Sequence, residues 1–198
     1  MQQSIFLALA LAFFAFSSCK EDETDDIITL QTQTVNSLAA DAVQPYTGKF
    51  TLFSFAQNAT VPNSDSASGN WDIGFRGSTI IVNGGSIRTG QGGAYIHSGI
   101  FAELTEVPET QAFNQDNSDT NLAIPTGSGN GWYNYDHATN ILSPIAGKIL
   151  VIRTASGKYA KVEILSYYQN APAAPTASDA LRYYTFRFVY QPDGSKKF

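Results

Sequence analysis

Two histidines, His97 and His137, are the residues of this 198-residue chain best suited to metal chemistry at neutral pH. The single methionine is Met1 and the single cysteine is Cys19. Each histidine keeps aromatic company. His97 follows Tyr95 and Ile96, and His137 closes the segment Gly131-Trp132-Tyr133-Asn134-Tyr135-Asp136-His137. If that segment is extended, Tyr133, Tyr135 and His137 point one way and Trp132, Asn134 and Asp136 the other. Two readings stay open. One is a surface or hydrogen-bonded histidine. The other is an axial ligand to haem iron, which takes a neutral imidazole while the porphyrin plane takes apolar and aromatic walls. Aromatic-rich loops also make carbohydrate platforms, so the rings alone do not decide. Two histidines without a cysteine or an acidic cluster are too few for a closed zinc site.

Other chemistries have little to stand on. Cys19 is the only cysteine, which excludes an intrachain disulfide and a zinc ribbon. No phosphate-binding loop occurs. The glycines of Asn83 to Gly93 precede no helical pattern, so they do not read as a dinucleotide fingerprint. A Ser/His/Asp triad is not excluded by sequence, but no nucleophile-elbow pattern appears. The reading is therefore a binding protein rather than an enzyme, with a hydrolase using an acid pair in a long loop as a weaker rival.

The acidic charge is concentrated. Lys20 to Asp26 (KEDETDD) carries five acids and one lysine of a chain whose net charge is −5. The remainder is near neutral and offers no basic footprint for nucleic acid. Ahead of this stretch, Ile5 to Phe16 is an unbroken apolar run. It is shorter than the roughly 20 residues of a membrane-crossing helix and fits the hydrophobic region of a secretory signal. Ser17 and Ser18 then precede Cys19, as in lipoprotein signals, although MQQS at the start has no basic residue. The expected organisation is a signal peptide over 1–18, a lipidated Cys19 with an acidic flexible tether over 19–36, and one β domain over 37–198. Lipid on Cys19 would hold the chain on a membrane.

The elements that must position the histidines read as strands. Thirteen Phe, ten Tyr and two Trp go with sparse charge, a composition suited to sheets. Strands are expected at Lys49–Phe55, Trp71–Phe75 (with Trp71, Ile73 and Phe75 on one face), Thr79–Val82, Gly93–Phe101, Lys148–Thr154, Tyr159–Tyr168 and Tyr183–Tyr190. Ala155-Ser156-Gly157-Lys158 reads as a hairpin turn. Pro108–Gly131 and Asn170–Asp179 read as loops, and a loop as long as the first is uncommon unless functional or disordered. Gln33–Asp41 is a candidate for one short helix. The fold class is all-β: an antiparallel two-sheet domain with long loops and at most one short helix.

The ordered set of these motifs resembles the HmuY family of haem-binding surface lipoproteins of Bacteroidota. Asn70-Trp71-Asp72-Ile73-Gly74-Phe75, then Ile80-Ile81-Val82-Asn83-Gly84-Gly85, resembles its Trp-Asp strand and Asn-Gly turn. Gly92-Gly93-Ala94 matches the Gly-Gly-Ala that follows, and Tyr46 to Phe55 resembles the aromatic strand upstream. Lys148 to Arg153, then Gly157 to Val162, resembles its late motif, and Tyr184 to Phe188 its closing strand. The resemblance implies an all-β fold and haem b held at one end by two histidines. It also implies anchoring in the outer membrane facing outward and delivery of haem to an outer-membrane transporter. His137, with Trp132 before it and Arg153 after it, stands at the place of one ligand, and Trp132, Tyr133, Tyr135 and Tyr95 are pocket candidates. The stretch matching the other ligand, Glu109 to Gly129, contains neither His nor Met. Four arrangements stay open: His97 as second ligand, a tyrosinate from Tyr95, Tyr133 or Tyr135, five-coordinate iron, or a scaffold without haem. A glycan- or protein-binding module that presents Trp132–Tyr135 is the functional rival.

Overall fold

The computed structural model describes residues 30–198, so the leader, Cys19 and the acidic stretch on which the lipidation reading rests lie outside the described residues. Eleven strands run from β1 (Gln33–Ala39) through β2 (Thr51–Ser54), β3 (Ala59–Val61), β4 (Ile73–Arg76), β5 (Thr79–Val82) and β6 (Gly93–Ser98). After a long loop come β7 (Tyr133–Asp136), β8 (Ile141–Pro144), β9 (Lys148–Arg153), β10 (Tyr159–Tyr168) and β11 (Leu181–Gln191). They form a five-stranded sheet in the order β1-β11-β10-β9-β6, a four-stranded sheet in the order β3-β2-β4-β5, and a separate β7-β8 ribbon. Every strand-to-strand ladder is antiparallel. The architecture is the expected all-β, antiparallel one.

Alternation decides what each sheet buries. On β11, Tyr184, Phe186 and Phe188 point inward, and on β2 Phe53 does the same, followed by Phe55. Their rings meet between the sheets. Phe53 lies edge-on to Phe186 at 5.5 Å and to Phe188 at 5.9 Å, and Phe75 stacks on Phe186 at 5.4 Å. Such pairs add about 0.5–1.5 kcal/mol each beyond the area they bury. Trp132, Tyr133 and Leu142 carry the ribbon onto this same core.

Two expectations fail locally. Gln33–Asp41 is not a helix: Gln33–Ala39 is β1, paired with β11 across a bulge between Val35 and Leu38. β11 offers a row of backbone partners, and that ladder outweighs the weak local helical preference. The sheet thereby takes in Gln33 to Asn36, which read as tether. Among the described residues the helical structure is one 3₁₀ turn, Asn63–Asp65. Trp71 does not share a face with Ile73 and Phe75. It packs with Leu52, Val61 and Ile81 on the outer side of the four-stranded sheet.

The reason for the second failure lies in Asp72. Its carboxylate is buried and accepts the backbone N–H groups of Phe55 (2.9 Å) and Ala155 (3.1 Å), tying β2 to the β9–β10 turn. That demand breaks the alternation just before β4 and turns Trp71 outward. Burial pushes the Asp72 carboxyl up, and the two N–H bonds oppose the shift. Asn83, fully buried, donates through its amide to the carbonyls of Ser68 and Trp71, and its own carbonyl accepts from Gly92 N–H. A Cβ on Gly84 would lie 2.0 Å from the Gly92 carbonyl oxygen, so only glycine fits there. The Trp-Asp, Asn-Gly-Gly and Gly-Gly-Ala motifs thus form one buried polar knot.

Candidate functional site

His137 opens the turn between β7 and β8, and that turn is built to be stiff. The Asp136 carboxylate accepts the backbone N–H of Ala138 and the hydroxyl of Thr139, both at 2.8 Å. These bonds, the Thr139 hydroxyl foremost, hold the Asp136 carboxyl below its ordinary range. Asn140 completes the reversal at φ 58°, and its side-chain oxygen accepts the Tyr135 hydroxyl at 2.8 Å. The backbone N–H of Tyr135 donates to the Ser128 hydroxyl at 2.8 Å, anchoring the hairpin to the loop before it. His137 is exposed, and its ring stands edge-on to Tyr135 with centroids 4.7 Å apart. Among the described residues no side-chain hydrogen bond engages its imidazole nitrogens.

Beside this tip lies a cleft of about 440 Å³. Asp136, Thr139, Ile141 and Ser143 form one wall, and Pro175, Thr176 and Ala177 the other. The opposite lip is stiffened in the same way. The Asp179 carboxylate accepts both the backbone N–H (2.7 Å) and the hydroxyl (2.9 Å) of Thr176, which hold its carboxyl low. Two Asp-capped turns therefore face each other across an opening whose apolar surface comes from Ile141, Pro175 and Ala177. The volume falls in the range of small-molecule sites, roughly 300–1,000 Å³. The strand Ile141–Pro144 and the second lip went unread in the sequence. The signal was there: Asp136-His137-Ala138-Thr139-Asn140 is turn chemistry followed by Ile141 and Leu142.

The ribbon is held from beneath. Trp132 is 2% exposed; its indole N–H donates to the Ser78 carbonyl at 3.0 Å, and it packs on Tyr133, Tyr167 and Tyr184. Tyr133 is also buried. Both rings belong to the core, so a platform built on Trp132 and Tyr133 has no free face to offer a glycan. Tyr168 adds a further strut by accepting the Leu142 backbone N–H through its hydroxyl at 2.9 Å.

His97 lies elsewhere. On β6, Ala94 and Ile96 face the main core, while Tyr95 packs in the second cluster on the outer side of the five-stranded sheet. His97 shares the Tyr95 face, in register with Ile149 of β9, and its imidazole lies over Gly99. The same row continues through Glu163 to Arg187, which pair at 2.6 Å. The structure thus brings His137, Tyr135, Tyr133 and Trp132 together at the ribbon and leaves His97 and Tyr95 on the far face of the sheet. Burial pushes the Tyr95 hydroxyl up, and it has no hydrogen-bond partner. Among the described residues no group of three or more His, Cys, Asp or Glu comes together as a metal site.

The comparisons with known proteins bear on the fold and the family. Among solved structures, a candidate HmuY-like haem-binding protein from Bacteroides vulgatus superimposes with a TM-score of 0.51 at 16% identity, over 80% of this chain and 90% of that one. A candidate lipoprotein from Bacteroides fragilis gives a TM-score of 0.51 at 16% identity, over 85% of this chain and 95% of that one. No curated protein matches the chain. At such identities the structures speak for the fold alone. The sequence profile of the HmuY protein matches residues 46–187, from the segment before β2 into β11. The chain belongs to the HmuY family.

Proposed function

We propose that this protein is a surface lipoprotein that captures haem b through His137 and passes it to an outer-membrane haem transporter. The observation that carries the reading is the exposed imidazole of His137 on a stiff hairpin tip, next in sequence to Asp136 on the rim of a cleft that has Ile141, Pro175 and Ala177 among its lining residues. The donor set fits one protein ligand to haem iron. A neutral imidazole with unengaged nitrogens can ligate the metal, and Ile141, Pro175 and Ala177 offer surface to a porphyrin face. His97, on the other face of the five-stranded sheet, is not part of this ligand set. Haem would supply iron as cargo; the chain contributes binding and orientation and no bond-making step.

Each part of the hairpin has a task in this reading. Asp136 and Thr139 hold the tip so that little conformational freedom is lost on capture. Tyr135 limits the rotation of the imidazole. Trp132 and Tyr133 fix the ribbon to the core. Export and the lipid on Cys19 are supported by the leader and by the likeness to a candidate lipoprotein. The test is a haem titration of residues 20–198. A saturable one-to-one shift of the Soret band is expected, and the absence of saturation would overturn the reading.

A further inference from the structure

The long loop between β6 and β7 carries a second concave surface, remote in character from the histidine cleft. Its volume is about 510 Å³. Four amide side chains line it, Asn114, Gln115, Asn117 and Asn121, with Phe113, Leu122 and Pro125 among the apolar residues. None of its lining residues is charged.

The loop is a fixed frame. Asp116 is fully buried, and its carboxylate accepts Ala123 N–H at 2.8 Å, Val82 N–H at 3.0 Å and Arg88 Nε–H at 3.2 Å. Asn114 exchanges both backbone hydrogen bonds with Ala94 at 2.8 and 2.9 Å, which covers the free edge of β6. The Gln115 side chain donates to the Gly92 carbonyl at 2.9 Å. The backbone N–H of Asn117 bonds the Asn121 carbonyl at 2.9 Å. With these anchors made, the side-chain amides of Asn114, Asn117 and Asn121 remain exposed, and no hydrogen bond among the described residues engages them.

We infer that this amide-lined cleft binds an uncharged oligosaccharide. Sugar hydroxyls donate and accept at once, and a primary amide presents both a donor pair and an acceptor. Three such groups on a rigid frame can meet adjacent hydroxyls without ordering a mobile loop. The surface of the cleft is predominantly polar, which suits recognition of hydroxyls. The lack of charge in the lining argues against phosphate, nucleic acid or uronate.

The test is calorimetric titration of residues 20–198 with maltohexaose, cellohexaose, mannohexaose and xylohexaose, beside a hexagalacturonate control. Saturable binding of at least one neutral hexasaccharide is expected, weakened about tenfold or more in N117A/N121A. Both residues are exposed, so the variant's melting temperature should match that of the parent, and its haem titration should be unchanged. No saturation by any neutral hexasaccharide at ~10 mM would overturn the inference. So would unaltered binding in the double variant, or a preference for hexagalacturonate. Haem binding is read separately, so failure of one site leaves the other standing.

Discussion

His137 has solvent around it and few partners, whereas Trp132, five residues earlier, is buried among three tyrosines. The two should fail in opposite ways. Trp132→Ala leaves a cavity in the core and an unpaired Ser78 carbonyl, and should destabilise the domain by about 3–5 kcal/mol in denaturant unfolding. An unchanged unfolding midpoint would remove Trp132 from the core. His137→Ala should leave that midpoint in place. The aromatic segment was legible in the sequence as a unit, but its division of labour was not. Periodicity gives a residue's side only within a strand, and β7 begins at Tyr133, so Trp132 answers to the core rather than to the alternation. Asp72 hides Trp71 from a sequence reading in the same way, because the bonds to Phe55 and Ala155 that break the register come from distant segments.

At the scale of elements, two Asp-capped turns form the lips of the cleft beside the β7–β8 turn. The Asp136 and Asp179 carboxyls sit below the ordinary value of 3.8, through hydrogen bonds that exist only in the folded turns. A carboxyl lowered by folding stabilises above its unfolded pKa and loses that contribution as pH falls through the folded value. The lips should therefore loosen below pH 3.8 and tighten above it. The protection of the Ala138 and Thr176 amides, measured by NMR relative to their intrinsic exchange rates, should fall on that acidification while β9 and β10 stay protected. Protection there that does not change with pH would refute the capping role. The main strands were readable because they are short runs of β-branched and aromatic residues separated by Gly, Asn, Ser and Pro clusters. β1 was not, because its residues gain their strand character only from β11. The second lip was seen only as a proline-bearing loop, since its place across the cleft from β8 is set in three dimensions.

Across the whole molecule, the domain is two sheets joined by aromatic rings and by one buried carboxylate. Asp72→Ala would leave the buried N–H groups of Phe55 and Ala155 without partners, a loss of about 1–3 kcal/mol for each. Its melting temperature should fall well below that of the parent, and an unchanged value would show that the sheets do not depend on this tie. The motifs that carry the family resemblance lie in this knot and in the scaffold strands, and they fix the β2–β4–β5 sheet against the β9–β10 turn. The direct test of the account is haem titration of His137→Ala and His97→Ala beside the parent chain, read at the Soret band. The account predicts that His97→Ala keeps the parent's saturable shift, while His137→Ala loses it or binds at least about a hundredfold more weakly. An equal shift and affinity in His137→Ala, or their loss in His97→Ala alone, would contradict it.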